Sequence, residues 1–154
     1  MRLYFLRHAK TEKISRTGKD FDRKLAPKGI EQSTLLMQHI AEFPIQTVHC
    51  STAVRTMETL NLLNLKKPKI VFADSLYLAS RDAWISYLTE HISDQALFVG
   101  HNEGLSEIVS WLVNQDIHLQ TGALVTLDFQ GASREELSAG LSSLISYFRP
   151  EVFL

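Results

Sequence analysis

Apolar residues along the chain fall into short runs that alternate with longer stretches at helical spacing. Arg2–Leu6, Thr47–Cys50, Lys69–Ala73, Ala96–Val99 and Leu124–Phe129 are runs of four to six residues, and each predicts a strand. The Lys66-Lys67-Pro68-Lys69 lead-in marks the third as an edge strand. Between the runs the spacing predicts helices. Pro27 suits a first helical turn, Pro44 stops that helix after Phe43, and Ile30, Met37, Ile40 and Ala41 share one face. Ser51 or Thr52 caps a second helix, with Val54, Met57, Leu60 and Leu63 turned inward. Ser80 caps a third, carrying Trp84, Ile85, Leu88 and Ile92. Asn102 caps a fourth, whose Leu105, Ile108, Val109 and Leu112 give the clearest amphipathic period. Ser133-Arg134-Glu135-Glu136 fits a capping-box start, and within 133–148 the run Leu141–Phe148 reads equally well as helix or strand.

Repeated strand–helix alternation implies an α/β fold: one domain over residues 1–154, with a mostly parallel central sheet covered by helices on both faces. No repeat, low-complexity tract or Pro/Gly/Ser-rich linker divides the chain. Its 154 residues suffice for a real core, and 45% hydrophobic with 21% charged residues is ordinary globular usage. Tyr4, Phe5, Trp84, Tyr87, Phe98 and Trp111 fall on faces predicted to be buried.

Charge and cysteine content narrow the function. Sixteen basic against seventeen acidic residues leave a net charge of −1, which gives no electrostatic footprint for nucleic acid. The single Cys50 excludes an intrachain disulfide and a cysteine-rich zinc site, and reads as a small buried apolar residue. Only four consecutive apolar residues, Leu3–Leu6, stand near the amino terminus, too few for a signal-peptide core or a membrane span. The expectation is a monomer of the cytoplasm that binds no membrane.

In such folds ligands lie beyond the carboxyl ends of the strands. The first strand ends in Leu6-Arg7-His8-Ala9, the second in Cys50-Ser51-Thr52 with Arg55 close behind, and the fourth in Gly100-His101-Asn102. Two arginines and two histidines thus converge on one rim, and their chemistry suits a dianionic oxyanion. Guanidinium groups grip phosphate as a bidentate fork, and a helix amino terminus adds backbone N–H groups. A neutral imidazole attacks phosphorus through one nitrogen when the other donates its hydrogen to a carbonyl. The second imidazole, when protonated, donates to the phosphoryl oxygens. No metal or cofactor is required, because cationic side chains already neutralise the group.

These residues carry a resemblance. Leu6-Arg7-His8-Ala9-Lys10 resembles the Arg-His-Gly/Ala signature of the histidine phosphatase superfamily, the phosphoglycerate-mutase-like proteins. Ser51-Thr52-Ala53-Val54-Arg55-Thr56-Met57-Glu58-Thr59 and Val99-Gly100-His101-Asn102 resemble its second and third motifs. Asp20-Phe21-Asp22-Arg23-Lys24-Leu25-Ala26-Pro27-Lys28-Gly29 and Thr121-Gly122-Ala123 are similar to segments of the small SixA-type phosphohistidine phosphatases. The resemblance spans residues 2 to about 130. It implies a metal-independent phosphatase in which His8 becomes a phosphohistidine and Arg7, Arg55 and His101 form the phosphate pocket. Asp20, Ser51, Asn102 and Thr121 follow as substrate-binding candidates.

The implied partner is a protein carrying phosphohistidine, such as a histidine phosphotransfer domain; a small phosphate ester is the alternative, and a phospho-partner binding module a third. The short chain lacks the insertions that roof the pocket in larger relatives. Most of those place an acid after the third strand, where this chain reads Leu76-Tyr77-Leu78-Ala79-Ser80. Asp22, Asp82 and Glu103 are weaker acids for the role, and Glu103 stands where it would raise the pKa of His101. His39, His91 and His118 read as solvated and His49 as a packed strand residue.

Overall fold

Each of the five apolar runs becomes a strand, and a sixth forms where the tail was ambiguous. The computed structural model describes residues 1–131 and 133–153. In chain order the elements are β1 (Arg2–Arg7), α1 (Pro27–His39), β2 (Thr47–Ser51), α2 (Val54–Leu62), β3 (Lys69–Ala73) and α3 (Arg81–His91). They are followed by β4 (Ala96–Gly100), α4 (Gly104–Val113), β5 (Leu124–Phe129) and β6 (Ser142–Phe148). The sheet runs β3-β2-β4-β1-β5-β6. Its first four strands are mutually parallel, with β3 at the edge. The last two run antiparallel, β5 against β1 and β6 against β5. The sheet is therefore mixed, parallel where the site residues emerge and antiparallel at the far edge.

Strand side chains alternate between two apolar layers, as a sheet covered on both faces requires. Leu3 and Phe5 of β1, Phe98 of β4 and Val125 of β5 join the layer under α3 and α4, with Trp84, Leu88, Ile108 and Leu112. Tyr4 and Leu6, Leu97 and Val99, and Val48 and Cys50 join the layer under α1 and α2, with Leu36, Ile40 and Leu60. Tyr87 and Trp111 are only partly buried.

Several local expectations change. The first helix ends at His39, not Phe43. Its buried face is Gly29, Gln32, Ser33 and Leu36, while Ile30 is 46% exposed. The cause is the segment after β1: a Cβ on Gly29 would lie 2.0 Å from the Lys10 carbonyl oxygen, and Gln32 Oε1 accepts the Lys10 N–H at 2.9 Å. The second helix turns Arg55, Thr56, Thr59 and Leu60 inward and leaves Met57 exposed. Its N-cap is Ala53, without a side-chain cap. Ser80 caps α3 as expected, accepting from the Ala83 N–H at 3.2 Å. The capping-box start at Ser133 yields only a three-residue 3-10 turn, Arg134–Glu136, in which Ser133 makes no cap bond. Among the described residues no helix is long and apolar enough to cross a membrane.

Candidate active site

The order β2-β4-β1 explains why residues far apart in sequence meet. His8 follows β1, His101 follows β4 and Arg55 sits in the first turn after β2, so three adjacent strand ends each deliver one group. Arg7, His8, Asp20, Arg23, Arg55, His101, Asn102 and Thr121 line one open cavity of about 360 Å³.

His8 is 6% exposed, and its ring is fixed at both nitrogens. Nδ1 lies 2.8 Å from the Ala9 carbonyl oxygen, an acceptor, which assigns the proton to Nδ1. Nε2 then carries the lone pair and accepts the Arg55 Nε–H at 3.3 Å. Burial pushes the His8 pKa down to about 3, and the charges of Arg55, Arg7 and Arg23 add to the effect. The ring is thus neutral, with its lone pair on Nε2, the form that phosphoryl transfer requires once the Arg55 N–H gives way.

His101 stands beside it, with ring centroids 5.3 Å apart. Its Nε2 meets Ser51 Oγ at 2.8 Å, and its buried Nδ1 has no hydrogen-bond partner among the described residues. Burial first, then His8 and Arg55, lower its pKa to about 3. Glu103 is not among the causes; it acts on Arg7, whose pKa burial lowers and Glu103 raises. Arg7 donates from one terminal nitrogen to the Leu119 carbonyl at 3.0 Å, while its buried Nε also lacks a partner.

Arg55 is 2% exposed and almost wholly engaged. Its terminal nitrogens donate to the Asp20 carbonyl at 2.8 Å and to Asp20 Oδ2 at 2.9 Å. The Asp20 carboxylate also accepts from Tyr77 Oη at 2.6 Å and from Arg23 Nε at 3.0 Å. The tyrosine hydroxyl first, with the two arginines, holds the Asp20 pKa down at about 2. Asp20 is therefore an anion and no proton donor at ordinary pH.

The remaining sequence candidates take defined places. Ser51 is fully buried beneath His101 and supports its ring. Asn102 donates to the Leu119 carbonyl at 2.8 Å and accepts from Ser106, tying the α4 entrance to the same carbonyl that Arg7 uses. Thr121 faces Gln32, which donates to its carbonyl at 3.3 Å. Beyond it Gly122, at φ +75°, donates its N–H to the carbonyls of Arg7 (3.1 Å) and His8 (2.9 Å), a backbone shape that favours glycine. Asp22 bonds Thr17 and Asp82 sits by Arg81, both outside the cavity. His49 is packed: it stacks on Phe98 and bonds Tyr87 Oη at 2.7 Å.

Tyr77 was not singled out by sequence, because a lone aromatic in a loop carries no period. It closes one side of the site, edge-on to His101 with centroids 5.5 Å apart and 5.8 Å from the Arg55 guanidinium carbon. Arg23 entered only as part of a motif, yet it clamps Asp20 and lines the cavity. Among the described residues no group of three or more His, Cys, Asp or Glu side chains is placed to hold a metal ion.

Fold and site together define an α/β chain that gathers cationic side chains around one open cavity. Residues 3–76, just under half of the chain, match the histidine phosphatase superfamily (branch 1), and this match together with the SixA-like structures supports a place in that superfamily. A structure from Nakamurella multipartitia assigned as the phosphohistidine phosphatase SixA is 25% identical, covers 98% of this chain and 96% of its own, and has a TM-score of 0.84. The protein histidine phosphatase SixA complexed with tungstate shares the fold at 18% identity and TM-score 0.81, each chain 97% covered. An assigned α-ribazole-5′-P phosphatase of Escherichia coli shares it at 17% identity and TM-score 0.72, each chain 94% covered. An uncharacterized protein of Mycobacterium leprae is 33% identical over 96 residues, 58% of this chain. That match spans 57% of the curated relative's length.

Proposed function

We propose that this chain hydrolyses phosphohistidine on a protein, such as a phosphotransfer domain, without a metal, through a phosphoenzyme on His8. The observation that carries the reading is the His8 ring, with Nδ1 tied to the Ala9 carbonyl and the lone pair set on Nε2, where phosphorus would replace the Arg55 N–H. In the first step Nε2 bonds phosphorus while the substrate's P–N bond breaks. Phosphohistidine protonated on its other nitrogen leaves as neutral imidazole, so the enzyme need supply no proton. In the second step water attacks the phosphorus on His8, and phosphate leaves from Nε2.

The ionised state of Asp20 supports this substrate over an alkyl phosphate. Asp20, a carboxylate among the cavity-lining residues, is held ionised and so has no proton to give a leaving alkoxide. Arg7 Nε and His101 Nδ1, buried without partners, are nitrogens of two cavity residues that an oxyanion would satisfy. Arg7, Arg23 and Arg55 around the pocket oppose a metal cation and favour the dianion.

The small-ester reading is supported by the likeness to the assigned α-ribazole-5′-P phosphatase. A time course decides between them. Wild type and His8→Ala are compared on a phosphohistidine-bearing phosphotransfer domain and on a panel of small phosphomonoesters, with chelator present. Dephosphorylation of the protein, abolished by His8→Ala, is expected. Turnover restricted to the small esters would replace the substrate assignment, and turnover that the chelator abolishes would replace the mechanism.

A further inference from the structure

Every nitrogen of Arg55 already has a protein partner. Nε faces His8, and both terminal nitrogens face Asp20, one at its carbonyl and one at its carboxylate. The Asp20 carboxylate therefore holds one prong of the fork that a phosphoryl group would seek, beside its own backbone carbonyl on the other, and a hydroxyl and a guanidinium fasten that carboxylate there. Tyr77 Oη donates to the same oxygen that Arg55 holds, and Arg23 Nε donates to the other.

We propose that Asp20 is an internal competitor for the phosphoryl group, a carboxylate that holds Arg55 until an entering dianion displaces it. The inference rests on the phosphoryl-pocket reading above and adds what limits that pocket's affinity for the free product. The geometry allows the exchange. The Asp20 side chain is 45% exposed, so once released it turns into water. It rides on the excursion between Thr11 and Leu25, joined at its base by an isolated bridge, with a single 3-10 turn, Asp20–Asp22, inside. Tyr77 comes from the segment after β3, so the fastening links two loops across the cavity mouth.

Displacement costs the Asp20 contacts, and that cost falls equally on every oxyanion. A bare phosphate ion has only the pocket with which to offset it. A phosphoryl group on a protein surface brings further contacts outside the pocket. Asp20 therefore weakens the binding of free phosphate, the product, and of the larger substrate by the same factor, and the larger substrate keeps useful affinity because its outside contacts offset the cost.

Titration calorimetry of inorganic phosphate and of tungstate into the whole chain tests this. Asp20→Asn keeps the shape and removes the charge, and both oxyanions are expected to bind roughly tenfold tighter, as the loss of a charge-assisted competitor requires. Tyr77→Phe loosens the same oxygen and is expected to shift affinity in the same direction by less. Asp22→Asn removes an equal charge from a carboxylate that accepts from Thr17 and lies outside the cavity, and is expected to change nothing beyond about twofold. A gain of affinity is a result that a misfolded variant cannot produce. Weaker or unchanged binding by Asp20→Asn, with wild type still binding, would overturn the competitor alone and make Asp20 a residue that merely positions Arg55. Equal tightening by Asp22→Asn would reduce the effect to net charge and overturn it too. Failure of every form, wild type included, to bind either oxyanion would remove the phosphoryl pocket itself and the competitor with it.

Discussion

The Arg55 Nε–H lies 3.3 Å from Nε2 of His8. A permanent cation thus touches the lone pair of a buried imidazole, and the contact does two things at once. It orients the ring, whose other nitrogen is already committed to the Ala9 carbonyl, and it disfavours a proton at Nε2, the atom of the proposed attack.

The first consequence is covalent. Wild type quenched during turnover of a phosphohistidine substrate should carry one phosphoryl group on His8. Intact-mass measurement at neutral pH detects it, and brief acid treatment should remove it. His8→Asn should show no adduct and lose at least about a thousandfold in kcat/KM. An adduct that persists in His8→Asn would place the nucleophile elsewhere.

The arginine can be tested through the histidine. Since the Arg55 charge is among the causes that depress the His8 pKa, Arg55→Gln should raise the His8 titration midpoint from about 3. The same variant should lose about a hundredfold in kcat/KM, the usual scale for removing one preorganised donor at a developing charge. Nitrogen-edited NMR of the imidazoles reads the midpoint directly; an unmoved His8 signal would sever the electrostatic link.

Stability should fall in acid in a particular window. Burial holds His8 and His101 at about 3 and His49 at about 4, all below the ordinary 6.5 of an unfolded histidine. Between those values the unfolded chain binds more protons than the folded one, so stability rises with pH. The contribution is complete above about pH 6.5 and is lost as pH falls toward 3 to 4, by at most about 1.4 kcal/mol per pH unit for each histidine. Urea unfolding from about pH 7 down to about pH 4.5 measures the slope, and His49→Gln should reduce it. A flat profile in wild type would contradict the burial of these rings.

Gly122 supplies a backbone test. Its φ of +75° and a Cβ position 3.2 Å from Gln32 Oε1 and from Pro150 make alanine doubly unwelcome. Gly122→Ala should cost about 1–3 kcal/mol. Because Gly122 N–H holds the carbonyls of Arg7 and His8, activity should drop even at temperatures where the variant is folded. A melting curve with kcat measured well below the midpoint separates the two effects.

What the sequence made legible follows from what each residue does. The strands and α4 were readable because their side chains answer only to burial: Leu105, Ile108, Val109 and Leu112 are all fully buried. The faces of α1 and α2 were misplaced for the opposite reason. Gln32, Ser33, Arg55, Thr56 and Thr59 are buried polar groups with defined partners, and a hydrophobicity pattern assigns such residues to solvent. Thr59 Oγ1 accepts the Ala9 N–H at 3.1 Å, so polar burial there supports the loop that carries His8. β6 was ambiguous because it lies at an edge, with Ile145 and Tyr147 exposed and no clean alternation. The convergence of Arg7, His8, Arg55 and His101 was legible because the strand ends could be counted. The links through Asp20, Arg23 and Tyr77 depend on loop paths that no period encodes.

The place of β4 in the sheet has a consequence for the order in which the protein comes into being. β1 and β2 do not pair with each other; each pairs with β4, which enters between them later in the chain. A nascent chain that has emerged only as far as α3 already contains Arg7, His8, Asp20, Arg55 and Tyr77, yet has an unfilled gap between the two strands that aim them. The framework of the pocket is therefore incomplete until residues 96–100 lie between β1 and β2, with His101 just beyond them.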